Sequence, residues 1–286
     1  MLLFYSVSDY LVFFTTYCIE VRDHDVRVLS LCIMPDHIHD SIVVQDADEL
    51  WHFKQDFNSR FARTQNADLG RKGQVLEKPF GSAPKMGGKA ERTNLIYLGN
   101  NPVERKLCTH AEDYRWNFLA YSRSRSPFSR PLVIRKASWP MKKSVKEVRL
   151  TFEDGRPMTY HQLQRLFKTL DRNEKEQLTD YIISTYNVID YQAAISRFGS
   201  YESMLVAMHS TTGSEHDIQE TFVGRSDKYY SQMISIILRE TGVSDIHEVL
   251  GWSAAAKFDL FMLLRHQISA TDKQIAKFLR MPVPRI

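Results

Sequence analysis

Cysteine is scarce in this 286-residue chain: Cys18, Cys32 and Cys108 are all there are. An odd number with no C-x-x-C spacing suggests neither a disulfide framework nor a zinc ribbon, and a reducing, cytoplasmic setting fits. No P-loop is present, so nothing calls for a nucleotide cofactor. Long apolar runs are missing as well. Met1 to Tyr17 is rich in Leu, Phe and Tyr, but Ser6, Ser8 and Asp9 interrupt it, no basic segment precedes it, and it is too short to span a bilayer. An amphipathic helix is the better reading, with Tyr10, Phe14, Tyr17, Cys18 and Val21 at helical spacing and Ser8 or Asp9 as its cap. The last absence is acidic: from Tyr114 to Lys146 there is no Asp or Glu.

What is present centres on Met34-Pro35-Asp36-His37-Ile38-His39 and, later, Tyr97-Leu98-Gly99-Asn100-Asn101-Pro102-Val103. Side chains at i and i+2 of a strand leave one face, so His37 and His39 would stand side by side while Ile38 packs behind them. Asn101 follows Tyr97 by about one helical turn, which puts a phenol and an amide on one face. A histidine pair alone is more often a pair of ordinary strand residues, and a lone tyrosine is usually packing. Together the two blocks offer two nitrogen ligands, one oxygen ligand and a nucleophile.

Val26 to Met34 reads as a strand, Pro35-Asp36 as a turn, and His37 to Val44 as the returning strand. Asp40 falls on the Ile38, Ile42 and Val44 face, where a buried carboxylate needs a partner. Asp46 to Asn66 turns helical, with Leu50, Phe53, Phe57 and Phe61 on one face. Leu69 to Gly88 is glycine-rich and carries Arg71 and Lys72, a loop with short strands whose amides and cations suit phosphates. Glu91 to Leu98 reads as a short helix, which Gly99 and Pro102 are expected to end.

The two blocks resemble those of the HUH single-tyrosine transposases, and within them the REP-associated tyrosine transposases, whose motifs read M-P-[ND]-H-[VI]-H and Y-I-H-x-N-P-V. The likeness covers about residues 10 to 122. It includes Arg71-Lys72-Gly73-Gln74-Val75-Leu76 and Glu112-Asp113-Tyr114-Arg115-Trp116, and it departs at Gly99, where the family has histidine. The resemblance implies an α+β fold, a ferredoxin-like antiparallel sheet with helices on one face. The family's opening strand has only Met1 to Val7 left to it, so it would be short or missing. The likeness further implies a metal-dependent single-stranded DNA endonuclease and strand transferase. Tyr97 would attack a scissile phosphate, leaving a covalent 5'-phosphotyrosine. His37, His39 and Asn101 would hold a divalent metal, Mg²⁺ or Mn²⁺, and the partner would be single-stranded or hairpin DNA. The alternative is a domesticated or inactive relative that binds structured DNA or RNA without cleavage. Whether a second subunit completes the site as a homodimer stays open.

Net charge is +4 with a pI near 8.8, which permits a polyanionic partner without demanding one. The acid-free stretch is more specific. It holds Arg115, Arg123, Arg125, Arg130, Arg135, Lys136, Lys142, Lys143 and Lys146, interleaved with Trp116, Phe118, Tyr121, Phe128 and Trp139. Cations with aromatic platforms hold single strands, although a solvated linker would have a similar composition. The expected organisation is a catalytic-type domain over 1–122, a basic aromatic linker over 123–140 and a helical domain over 141–286. Ser269 to Pro282 resembles the first helix and turn of a helix-turn-helix; no recognition helix fits before Ile286, so the module is either truncated or something else. Ser41 stands where a histidine-triad hydrolase would need its third alternating histidine.

Overall fold

The computed structural model describes residues 2–68, 70, 72, 75, 76, 80–211 and 227–284. Helix makes up 63% of the chain, around one two-stranded antiparallel sheet. The coarse α+β expectation therefore holds. The wider ferredoxin-like sheet is not formed by the described residues, and no opening strand precedes the first helix. Instead, residues 2–5 run as a buried extended segment whose Leu3 and Phe4 amides donate to the Pro35 carbonyl at 2.9 and 3.0 Å.

Helix α1 (Val7–Asp23) is capped by Ser6, and Asp9 is the third residue of the capping box: Ser6 N donates to Asp9 Oδ2 at 2.7 Å. Neither Ser8 nor Asp9 is the cap. The helix is also more than amphipathic, because every residue from Leu11 to Val21 is buried. Its hydroxyls are satisfied internally, Thr15 donating to Leu11 O at 2.8 Å and Thr16 to Val12 O at 2.7 Å. A helix buried all round becomes the axis on which the rest packs.

Strands β1 (Arg27–Ile33) and β2 (Ile38–Val43) follow as a hairpin with Cys32 opposite His39 and Ile33 opposite Ile38. Asp40 does find partners: Tyr17 Oη donates to it at 2.9 Å and the Lys54 ammonium pairs with it. Helix α2 (Ala47–Asp68) buries Phe53, Phe57 and Phe61. These rings meet Phe13 and Tyr17 of α1 edge-on, at centroid distances of 4.9 to 5.3 Å.

The remaining helices are α3 (Gly88–Glu104), α4 (Trp139–Glu153), α5 (Tyr160–Lys168), α6 (Arg172–Tyr186), α7 (Tyr191–Ser196), α8 (Tyr201–Thr211), α9 (Lys228–Thr241), α10 (His247–Leu250), α11 (Ala254–Gln267) and α12 (Asp272–Leu279). Helix α3 does not stop at Leu98. It runs through Gly99 and Pro102, because a proline near the last turn forfeits only one backbone donor. Leu107 N then closes the end on Pro102 O at 2.9 Å.

The largest core takes in α1, the hairpin and α2 together with Met141, Val148, Leu163, Ile182 and Tyr186 from α4 to α6. Residue 140 is thus not a break in the core. A second core joins α9 to α12, and Leu2 and Tyr5 are built into it, while Leu3 and Phe4 belong to the first. The stretch read as part of a helix-turn-helix is α12, which buries Ile275, Phe278 and Leu279 in that second core. Among the described residues no helix is long and apolar enough to cross a membrane.

Candidate metal and tyrosine site

The hairpin turn and the middle of α3 come together. His37 and His39 rings lie 4.8 Å apart between centroids, and the Tyr97 ring meets His39 edge-on at 5.5 Å. Asn101 Nδ2 is 3.0 Å from His39 Nε2. His37 lies just before β2 rather than on it as expected, and with His39 on the strand and the i, i+4 pair on α3 the four side chains come to one place. Because α3 continues to Glu104, Tyr97 and Asn101 sit inside a helix rather than on its frayed exit.

His37 is oriented from behind. Its Nδ1 lies 2.6 Å from Asp36 Oδ1, which favours the tautomer with the proton on Nδ1 and the lone pair on Nε2. The other oxygen of Asp36 pairs with Lys277 of α12. Burial pushes the Asp36 carboxyl up, but the hydrogen bond and charge of His37, and then those of Lys277, outweigh it and hold the group well below the usual carboxylate range. Asp227 lies close by, with Arg105 Nη1 3.9 Å away. Its carboxyl is raised, first by burial and then by the negative charge of Asp36.

These atoms suit a divalent cation. His37 Nε2 and Asn101 Oδ1 are buried and have no hydrogen-bond partner, and an amide oxygen and nitrogen exchange by a simple flip. Two imidazole nitrogens and one amide oxygen would leave coordination positions open on such an ion. Among the described residues no three His, Cys, Asp or Glu side chains gather as a metal site. Tyr97 and Asn101 are nearly buried, at 3% and 1% exposure.

Gly99, where the family has histidine, has a structural role here. A Cβ at this position would lie 2.7 Å from Met208 Cε and 2.9 Å from Met208 Sδ, so the absent side chain is what lets α8 approach α3. Asn100 Nδ2 fastens the contact by donating to Met208 O at 2.8 Å.

The expected nucleic-acid residues divide into three groups. Arg71 lies outside the described residues, and Lys72 is exposed. Arg115 and Trp116 are not surface groups. Arg115 reaches Glu176 at 2.6 Å and Asp180 at 3.4 Å, and Trp116 stacks on Tyr10 at 4.3 Å. Both clamp the basic segment to the core, which withdraws them from any binding face. Arg123, Arg125, Arg130, Arg135 and Lys136 are exposed. Arg123 is engaged, 3.6 Å from Glu202; the other four make no ion pair with a described acidic residue. Trp139 of the same stretch is 72% exposed, with the Lys143 ammonium 5.5 Å over its ring and Val133 and Ile134 exposed before it.

Sequence reasoning read Asp36 only as a turn residue; a carboxylate directly before a candidate ligand histidine was the available signal. Lys277 and Asp227 gave none, being far away in the chain. No family model, no curated protein and no solved structure matches this chain.

Proposed function

We propose that the chain is a metal-dependent, single-stranded DNA endonuclease and strand transferase of the transposase type, with Tyr97 as nucleophile. The observation that carries this reading is the meeting of His37, His39 and Asn101 with Tyr97 across two elements distant in sequence. Tyr97 Oη would bond to phosphorus while the bond to the 3'-oxygen breaks. The phenolic proton passes to water and the departing oxygen takes one up. Reversal by another 3'-hydroxyl rejoins the strand, so the phosphodiester energy is kept and no nucleotide is needed.

A free phenol has a pKa of ~10, so in-line placement on a rigid helix has to provide much of the advantage. His37, His39 and Asn101 would hold Mg²⁺ or Mn²⁺, whose charge stabilises a non-bridging phosphate oxygen. Arg125, Arg130, Arg135, Lys136 and Trp139 would carry the strand outside the site, phosphates on the cations and a base on the indole. In this reading β1 and β2 are the histidine-bearing part of a ferredoxin-like sheet.

The burial of Tyr97 favours a second reading, a relative that binds structured DNA or RNA and no longer cuts it. One experiment separates the two. The protein is incubated with labelled hairpin DNA and Mn²⁺, denatured, and tested for a covalent protein–DNA band. Cleavage predicts a band that Tyr97→Phe and His37→Ala abolish. Retarded DNA without any band selects binding alone, and a band that survives Tyr97→Phe removes this tyrosine from the reaction.

A further inference from the structure

We propose that Lys277, on α12, is a positioning residue that sets the metal affinity of the hairpin site by acting through Asp36. The inference rests on the metal-site reading above and deepens it. The contacts form one continuous chain: Lys277 Nζ to Asp36 Oδ2, Asp36 Oδ1 to His37 Nδ1 at 2.6 Å, and His37 Nε2 buried with no other partner.

Each link restricts the next. A carboxylate that accepts from one ring nitrogen fixes the tautomer, raises the basicity of the other nitrogen and holds the plane of the ring. Asp36 can do this only while it keeps its rotamer. Its side chain is 9% exposed, so water does little to hold that rotamer. The remedy at hand is Lys277, which pairs with the oxygen that His37 does not use.

Lys277 sits on a helix that is built into the second core, between buried Ala276 and Phe278. Phe278, its neighbour in sequence, is fully buried and accepts a hydrogen bond from Tyr5 Oη at 2.9 Å. The ammonium is therefore delivered by a packed helix, not by a wandering surface side chain. The helical part of the chain then has a duty at the site: when α12 is docked, Asp36 is paired and His37 is aimed.

The test uses the full chain and Co²⁺ alone, followed by calorimetry and by the visible absorption that nitrogen ligation gives this ion. The variants are Lys277→Met, Lys277→Arg, Asp36→Asn, His37→Ala and the double variant Asp36→Asn/Lys277→Met. Losing a partner that orients a ligating histidine costs about 10- to 100-fold in affinity. Lys277→Met and Asp36→Asn should each weaken Co²⁺ by about that factor, Lys277→Arg should restore most of it, and the double variant should be no weaker than Asp36→Asn. A wild-type affinity in Lys277→Met overturns the inference while leaving the site intact, and so do losses that multiply in the double variant. Should Lys277→Met fail to fold, Asp36→Asn against the double variant with Lys277→Gln in place of Met asks the same question. If the wild type binds no Co²⁺, or His37→Ala binds it equally well, the metal site itself is wrong and this inference falls with it.

Discussion

Replacing His247 with glutamine should flatten the dependence of stability on pH above neutrality. His247 bridges two carboxylates: Nδ1 is 2.6 Å from Asp245 Oδ1 and Nε2 is 3.1 Å from Asp9 Oδ1, with Asp9 fully buried at the start of α1. Tyr5 and Tyr160 rings flank the imidazole. Burial alone would push its pKa down, but the hydrogen bonds and charges of Asp245 and Asp9 push it up to about 10. Because the folded value lies above the unfolded one of ~6.5, the contribution is complete below pH ~6.5 and is lost as pH climbs towards 10. At ~1.36 kcal/mol per pH unit, that interval sets a ceiling of about 5 kcal/mol. Denaturant unfolding at one-unit steps from pH 6 to pH 10 measures it directly. The wild type should lose stability steadily over this range, and His247→Gln should begin lower and stay flatter. Parallel curves for the two proteins would refute the reasoning, since the slope would then belong to other groups.

Two further outcomes follow from the surfaces described. Trp139→Ala should weaken single-stranded DNA binding by about 1–3 kcal/mol with stability nearly unchanged, whereas Trp116→Ala should cost about 3–5 kcal/mol of stability because its indole is core; filter binding and urea titration separate the two, and equal DNA losses would remove Trp139 as a platform. Gly99→Ala should lose about 1–2 kcal/mol through its encounter with Met208, partly offset by helix propensity, and the added substitution Met208→Ala should relieve that encounter. A stability gain for Gly99→Ala alone would contradict it.

Much of the site was legible because its grammar is local. Pro35-Asp36 between two alternating runs encodes a hairpin, and the phenylalanines of α2 recur at a helical period. The extent of α3 was not legible, because a proline in the last turn of a helix looks the same in sequence as one that ends it. Burial of α1 on all sides could not be read either, since α5 and α6, which cover it, lie more than a hundred positions away. The composition of 114–146 located the exposed cations but could not separate Arg115 from them. Its partners, Glu176 and Asp180, lie outside that stretch. Lys277 and Asp36, 241 positions apart, were equally beyond reach.

The extended segment at residues 2–5 also bears on how the molecule is made. Tyr5 binds the carbonyl of Phe278, 273 positions later, and Leu2 fills the same core. A ribosome delivers these apolar side chains long before their partners, so until Phe278 is made they lack this core and are open to other contacts. A bulky fusion placed before Leu2 would burden that late docking step more than it would burden the hairpin.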